Sequence, residues 1–134
     1  MRTKEFLSQV FYLDRKIESN MYEVQRLNSL ARNATACFDG MPKATNSGHS
    51  KIEEAVVKIC ELEEIIGQQM IELVELKKKI RQAIESVGDV ECETLLSERY
   101  LSYKTWEEIA AHFCCCLDNV YRIHRKALSL VKIK

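Results

Sequence analysis

The sequence is poor in the residues that build tight turns. Its 134 residues include four glycines and one proline, whereas these two residue types together make up roughly 12 % of an average protein. β-Sandwiches and barrels need many turns, and each turn tends to recruit Gly, Pro or Asn. The scarcity therefore excludes most β architectures and favours long helices.

The chain also lacks a long apolar run and an excess of charge of one sign. No window approaches the length of apolar sequence that a membrane-spanning helix needs. The N-terminal segment becomes charged again at Asp14, before the apolar core of a signal peptide could form, so we expect a cytoplasmic protein. Twenty Lys and Arg residues balance twenty Asp and Glu residues, which argues against a protein that coats polyanions indiscriminately.

Metal-ligand and catalytic patterns are absent from the sequence as well. Cys114, Cys115 and Cys116 are contiguous and cannot readily bridge one another, so we expect reduced thiols. Zinc sites normally use two separated pairs of ligands, and the chain has no C-x-x-C pair. It also has no nucleophile elbow, phosphate-binding loop or H-E-x-x-H motif. We expect a non-enzymatic protein without a metal or cofactor.

Two long segments carry apolar residues at the alternating three- and four-residue steps of a heptad. The first covers about residues 3–32, and Asn20 is the polar residue on its stripe. The second covers about residues 51–87, and Gln69 is the polar residue on its inner row. The pattern predicts an all-α protein that begins with a long antiparallel helical hairpin, a coiled coil. The sequence leaves open whether the hairpin closes within one chain or between the chains of a homodimer.

Residues 33–50 separate the two heptad segments and contain the proline and two of the glycines. This composition predicts a loop. Ser50 followed by Glu53 is a capping box, which predicts that the second helix begins there. The pair Gly88-Asp89 predicts its end, so we expect one domain at 1–87 and a second at 90–134.

The second domain has a different pattern, with shorter amphipathic segments. Thr105 with Glu108 is a capping box that makes Trp106 the first residue of a helix. A short helix, a turn and a second helix with a basic exposed face describe a helix-turn-helix. The predicted helices cover residues 91–101, 105–113 and 117–131.

Three stretches of this domain resemble region 4 of bacterial sigma factors, the module that recognises the −35 promoter element. They are E-T-L-L-S-E-R-Y-L, T-W-E-E-I-A-A-H-F and V-Y-R-I-H-R-K-A-L-S-L, within about 93–130. The whole chain is similar to small phage and prophage proteins of Gram-positive bacteria, which join a helical N-terminal part to a sigma-like C-terminal module. The resemblance implies a DNA-binding transcription regulator, with double-stranded DNA as its partner and RNA polymerase as a candidate second partner.

The resemblance also implies roles for the residues of the last helix. Base-facing positions fall on Leu117, Asp118, Tyr121 and Arg122, and positions near the DNA backbone on Arg125 and Lys126. Residues 117–134 hold five basic side chains and one acidic, a net charge of +4 on a chain that is neutral as a whole. We therefore expect a small basic DNA-contacting surface on an otherwise neutral or acidic protein.

The sequence also predicts the environment of other side chains in the second domain. Cys116 stands where the family usually has Ser or Thr, and it is a poorer helix cap. Trp106 is expected to pack on the 91–101 helix, and His124 either packs or approaches a phosphate. For Tyr121, contact with DNA and packing on a neighbouring helix both remain open.

Two further functions remain open beside the regulator. One is a phage DNA-packaging or assembly component such as a terminase small subunit, with the helix-turn-helix as its DNA module; those proteins usually carry that module first in the chain. The other is an interaction protein whose module has lost DNA binding, an option that Leu117 and Cys116 motivate.

Overall fold

The structure, a computed structural model, describes residues 2–38 and 45–133 and the side chains of residues 2–33 and 51–133. The described part is all-helical and contains no strand, which confirms the predicted all-α class. None of its helices combines the length and apolar character that crossing a bilayer requires. The helices are α1 (Thr3–Phe38), α2 (Thr45–Glu85), α3 (Val90–Leu96), α4 (Trp106–His112) and α5 (Leu117–Leu130).

Both long helices extend into the segment that was predicted to be a loop. Helix α1 continues to Phe38 and α2 already begins at Thr45, so the predicted loop bounds of 33–50 and the predicted helix start at Ser50 are wrong. Residues 39–44, which include Pro42, lie outside the described residues. The prediction rested on the proline and two glycines of this segment and on the Ser50/Glu53 capping box, but a formed helix gains one hydrogen bond for each residue it adds. Polar and alanine-rich turns can therefore continue it.

The chain divides into two compact units that do not follow the predicted boundary at residues 87–90. The first unit combines Met1–Asp14 with Glu72–Lys134, and the second unit is Arg15–Ile71. The first turns of α1 and the last turns of α2 thus belong with the three short helices. The division falls within the long helices because their terminal turns supply the apolar surface on which α3, α4 and α5 pack.

The core of the first unit draws on all five helices. Leu7 and Val10 of α1 and Ile80 and Ile84 of α2 are buried in one cluster with apolar side chains of the short helices. The short helices contribute Leu95, Leu96, Ile109, Val120, Ile123 and Ala127. In α1, α2 and α5 the buried residues lie three or four positions apart, as expected for an amphipathic helix with one face in a core.

The connection from α2 to α3 uses the predicted breaker residues. Gly88 has a φ of 78°, in the left-handed region that glycine tolerates best. The Asp89 carboxylate then accepts a hydrogen bond of 3.0 Å from the backbone N–H of Glu91 and caps α3. The predicted end of the second long helix at Gly88-Asp89 is confirmed within a few residues.

Helix α3 continues directly into a π-helical stretch, Ser97–Leu101. Its wider turn is closed by the backbone N–H of Ser102, which donates to the carbonyl of Ser97 over 3.0 Å. In such stretches each hydrogen bond spans five residues instead of the four of an α-helix, and they occur frequently at functional sites. Here the stretch contains Arg99 and Tyr100.

In the second unit, the polar residues of the two heptad stripes face each other. The Asn20 side-chain amide donates to the Gln69 side-chain carbonyl over 2.9 Å, in a part-buried position. Ile17, Leu27 and Ala55 are buried in the same unit. A paired Asn and Gln on an otherwise apolar seam satisfy each other and favour one register over its neighbours.

Leu7 tests whether the first turns of α1 support the C-terminal helices. Leu7→Ala removes a fully buried side chain and is expected to lower the free energy of unfolding by about 2–5 kcal/mol. Leu30→Ala, on the same helix at 49 % exposure, is expected to cost less than about 1 kcal/mol. Urea unfolding followed by Trp106 fluorescence measures both. Equal losses in the two variants would contradict the described packing.

Candidate nucleic-acid interface

Helices α4 and α5 begin with caps of unequal quality. The Thr105 hydroxyl accepts a hydrogen bond of 3.2 Å from the backbone N–H of Glu108, which confirms the predicted start of α4. Residues 113–116 connect the two helices, and Cys114 adopts a positive φ of 53° there. Cys116 occupies the N-cap position of α5 without a side-chain hydrogen bond. The first turn of α5 therefore lacks a stabilising contact that α4 has.

Helix α5 buries one face and exposes the other. Val120, Ile123 and Ala127 are buried against the core of the first unit. At about 100° per residue, Asp118, Arg122 and Arg125 then point away from that core. Leu117 and Tyr121 lie along one border of the exposed face and Lys126 along the other. All six predicted site residues are exposed and share this face: Leu117, Asp118, Tyr121, Arg122, Arg125 and Lys126.

The guanidinium group of Arg122 is held by its own helix. Its Nε and Nη2 donate to the Asn119 side-chain oxygen over 3.1 and 2.7 Å. Neighbours three positions apart on a helix face can form such pairs, which are weak and readily exchanged. The contact ties the guanidinium group to the first turn of α5. Sequence analysis overlooked Asn119, although its spacing from Arg122 was visible.

Lys126 contacts a different part of the unit. Its Nζ lies 3.3 Å from Oδ2 of Asp89, the cap of α3. The hydrogen bond from Lys126 is the main reason why the pKa of Asp89 lies below its ordinary value. Both side chains reach solvent, and exposed ion pairs of this kind contribute little stability. A phosphate can therefore replace Asp89 as the partner of Lys126 at low cost.

Trp106 is the centre of an aromatic cluster beside α5. The guanidinium carbon of Arg99 lies 4.3 Å from the centroid of its ring, a cation–π contact. The rings of Tyr121 and His124 meet it edge to face at 5.4 and 4.7 Å. The prediction that Trp106 packs on the 91–101 helix is confirmed. Tyr121 packs on a neighbouring helix through its contact with Trp106 and remains 37 % exposed, and its contact with DNA stays a prediction.

His124 belongs to the core and not to the exposed face. It is 8 % exposed, and its Nε2 lies in a hydrogen bond of 2.7 Å with the Tyr100 hydroxyl. Burial lowers the pKa of His124 to about 4 and raises the pKa of Tyr100 to about 12. Of the two alternatives for His124, packing is the one found, because the helical spacing that buries Val120 and Ala127 also turns residue 124 inward.

A buried carboxylate joins the π-helical stretch to α4. Glu98 is 8 % exposed, and its Oε1 accepts from Lys104 Nζ over 3.4 Å and also contacts His112 Nδ1. Sequence analysis did not identify this cluster, since its members are neither contiguous nor regularly spaced. Among the described side chains, no three of the types His, Cys, Asp and Glu are grouped so that they could hold a metal ion.

A better residue at the N-cap of α5 should stabilise the protein. Cys116→Ser places a hydroxyl at an extended N-cap position, φ −81° and ψ 163°, where it can accept a hydrogen bond from the first turn. We expect a gain of about 0.5–1 kcal/mol in the free energy of unfolding. Cys114→Ser, in the same turn and also exposed, serves as the control and should change stability by less than about 0.5 kcal/mol. An unchanged Cys116→Ser variant would contradict the cap assignment.

Burial of His124 predicts a loss of stability in mild acid. The folded pKa of about 4 lies below the ordinary value of 6.5, so the unfolded chain binds a proton first as the pH falls. Between pH 7 and pH 4.5 this residue should cost about 2 kcal/mol of stability. His124→Gln should remove that part of the pH dependence in denaturant titrations. A variant with the same pH dependence as the native chain would contradict the assignment.

The candidate interface is the exposed face of α5. Tyr121 lies at its border against Trp106, and Arg122 and Lys126 are each held by a polar neighbour. No family model, curated protein or solved structure matches the chain.

Proposed function

We propose that the protein is a non-enzymatic, DNA-binding transcription regulator of phage or prophage type. In this proposal α4, residues 113–116 and α5 form a helix-turn-helix like that of sigma factor region 4. Residues 1–87 form an antiparallel coiled-coil hairpin. The observation that supports it best is the exposed face of α5, which presents Arg122, Arg125 and Lys126 directly after a short helix and a turn.

The dimensions of α5 suit the major groove of DNA. Its 14 residues span about 21 Å at about 1.5 Å per residue, and the major groove admits one α-helix. Arg122 faces outward and can donate two hydrogen bonds to guanine O6 and N7. Arg125 and Lys126 are better placed for phosphates, which fix the register of a protein on DNA without reading its sequence.

The remaining exposed residues of α5 favour discrimination between DNA sequences over tight binding to any duplex. Asp118 is repelled by phosphates, but its carboxylate can accept a hydrogen bond from the amino group of cytosine. The apolar border formed by Leu117 and Tyr121 suits contact with a thymine methyl group. Because the chain is neutral as a whole, its non-specific affinity for DNA should be low. The difference in affinity between a specific site and random duplex DNA should then be easy to measure.

The second unit supports a role in protein association. Eight large apolar side chains of this unit are exposed, and apolar surface left in solvent is typical of protein-interaction sites when it forms a patch. A second copy of the chain and RNA polymerase are the two proposed partners of this surface. Its large exposed side chains are Met21, Tyr22, Leu30, Val56, Val57, Ile65, Met70 and Ile71.

The salt dependence of duplex binding tests the proposal. Each phosphate contact contributes about 0.9 to the slope of log affinity against log salt concentration. Replacing Arg122, Arg125 and Lys126 with Ala should reduce that slope by about two to three units. The control replaces Lys16, Arg32 and Lys58, three exposed basic residues of the second unit. It removes the same charge from the chain and should leave the slope unchanged.

Two results would contradict the proposal. One is the absence of duplex binding by the native chain at about 50 mM salt, where phosphate contacts are strong. The other is an equal reduction of the slope in both triple variants, which would show that net charge and not the face of α5 governs binding.

A further inference from the structure

A cavity in the first unit lies outside the exposed face of α5. It has a volume of about 330 Å³ and lies between α1 and the end of the π-helical stretch. Helix α1 contributes one face to it, because residues four, seven and eight positions apart project in the same direction. That face consists of Lys4, Ser8, Phe11 and Tyr12, and the opposite wall includes Arg99 and Tyr103.

The charge of the cavity is positive and uncompensated. Lys4 and Arg99 line it, and none of the described residues around it carries a carboxylate. Within the described part of the chain, neither side chain forms an ion pair with Asp or Glu. Both cations also contribute to the low pKa of the nearby His124. A cavity with two cations and no counter-charge attracts an anion.

Arg99 is held in a fixed orientation with donors to spare. One of its nitrogens, Nη1, donates to the carbonyl of Lys104 over 2.9 Å, and its plane lies over Trp106. A guanidinium group has five N–H donors, so several remain for a ligand. A fixed guanidinium fork matches the paired oxygens of a phosphate better than a mobile ammonium group does.

The other walls of the cavity are aromatic. Phe11 meets the rings of Tyr12 and Tyr103 edge to face, each at 5.6 Å. Tyr12 is 68 % exposed, so much of its ring is open to a planar ligand. Tyr103 has a positive φ of 59°, which is uncommon for a bulky residue, and residues in such backbone regions cluster at functional sites.

We propose that this cavity binds one nucleotide unit, with its phosphate at Lys4 and Arg99 and its unpaired base against Tyr12. Cations that follow the phosphates and aromatic rings that stack on bases are the two elements of single-strand recognition. The volume lies at the lower end of the range for small-molecule sites. The nucleotide is either free or part of a single strand, and the site does not depend on duplex binding by α5.

Trp106 reports on this site because it is the only tryptophan of the chain and lies against Arg99. The full-length protein is titrated with thymidine 5′-monophosphate, inorganic phosphate and a short thymidine oligonucleotide. Trp106 emission and equilibrium dialysis are measured in parallel. We expect the two thymidine ligands to bind more tightly than inorganic phosphate, since only they offer a base.

Matched variants locate the binding. Lys4→Ala should weaken binding about ten-fold, because it removes a charged hydrogen-bond donor. Tyr12→Ala should weaken it about five-fold or more through the loss of stacking. Lys16→Ala and Tyr22→Ala are the controls on the same helix, and Tyr22 has the same 68 % exposure as Tyr12. Both controls should bind like the native chain.

The results distinguish a free nucleotide from a single strand as the ligand, and they decide whether the site exists. Binding of the mononucleotide supports a free-nucleotide site, and binding of the oligonucleotide alone supports a single-strand site. Equal affinity for inorganic phosphate and the mononucleotide, without oligonucleotide binding, overturns the role of the base. Absence of binding by every probe, or equal losses in the variants and their controls, overturns the site.

Discussion

Burial of Leu7 and Ile80 against the three short helices is the interaction on which the first unit depends. Helices α3 and α4 have only seven residues each, and isolated helices of that length do not form in water. They persist because α1 and α2 supply a ready apolar surface on which each of them buries one face. The C-terminal module is therefore not self-sufficient, and the long helices are part of its fold as well as an extension of it.

The same packing determines which side chains of α5 are available to a ligand. Once Val120, Ile123 and Ala127 are buried, helical geometry leaves the charged residues between them in solvent. Trp106 then links two surfaces, since it contacts Arg99 of the cavity wall and Tyr121 of the exposed face. A ligand that moves Arg99 changes the environment of Tyr121 through a single ring. The two proposed sites are thus neighbours with a shared component.

Sequence analysis succeeded where local rules decide the structure. Apolar periodicity predicted the helices, Thr105 predicted the start of α4, and the amphipathic pattern predicted which residues of α5 are exposed. It failed where the outcome depends on contacts that are distant in sequence. Lys126 and Asp89 are 37 residues apart, and the cavity joins α1 to residues near 100. The extent of the long helices was also missed, because Pro and Gly content and a capping box were read as helix ends in a segment where both helices continue. The proposed contacts with DNA, polymerase and a second chain stay predictions.

The number of residues in the π-helical stretch determines the direction in which later side chains point. Because Ser97–Leu101 holds an extra residue in one turn, removal of a single residue there would restore ordinary α-helical geometry. Every later position would then rotate by about 100° around the helix axis. Arg99 and Tyr103 would no longer lie on the same wall. During divergence of related sequences, substitutions in this stretch should therefore be accepted far more readily than changes in its number of residues.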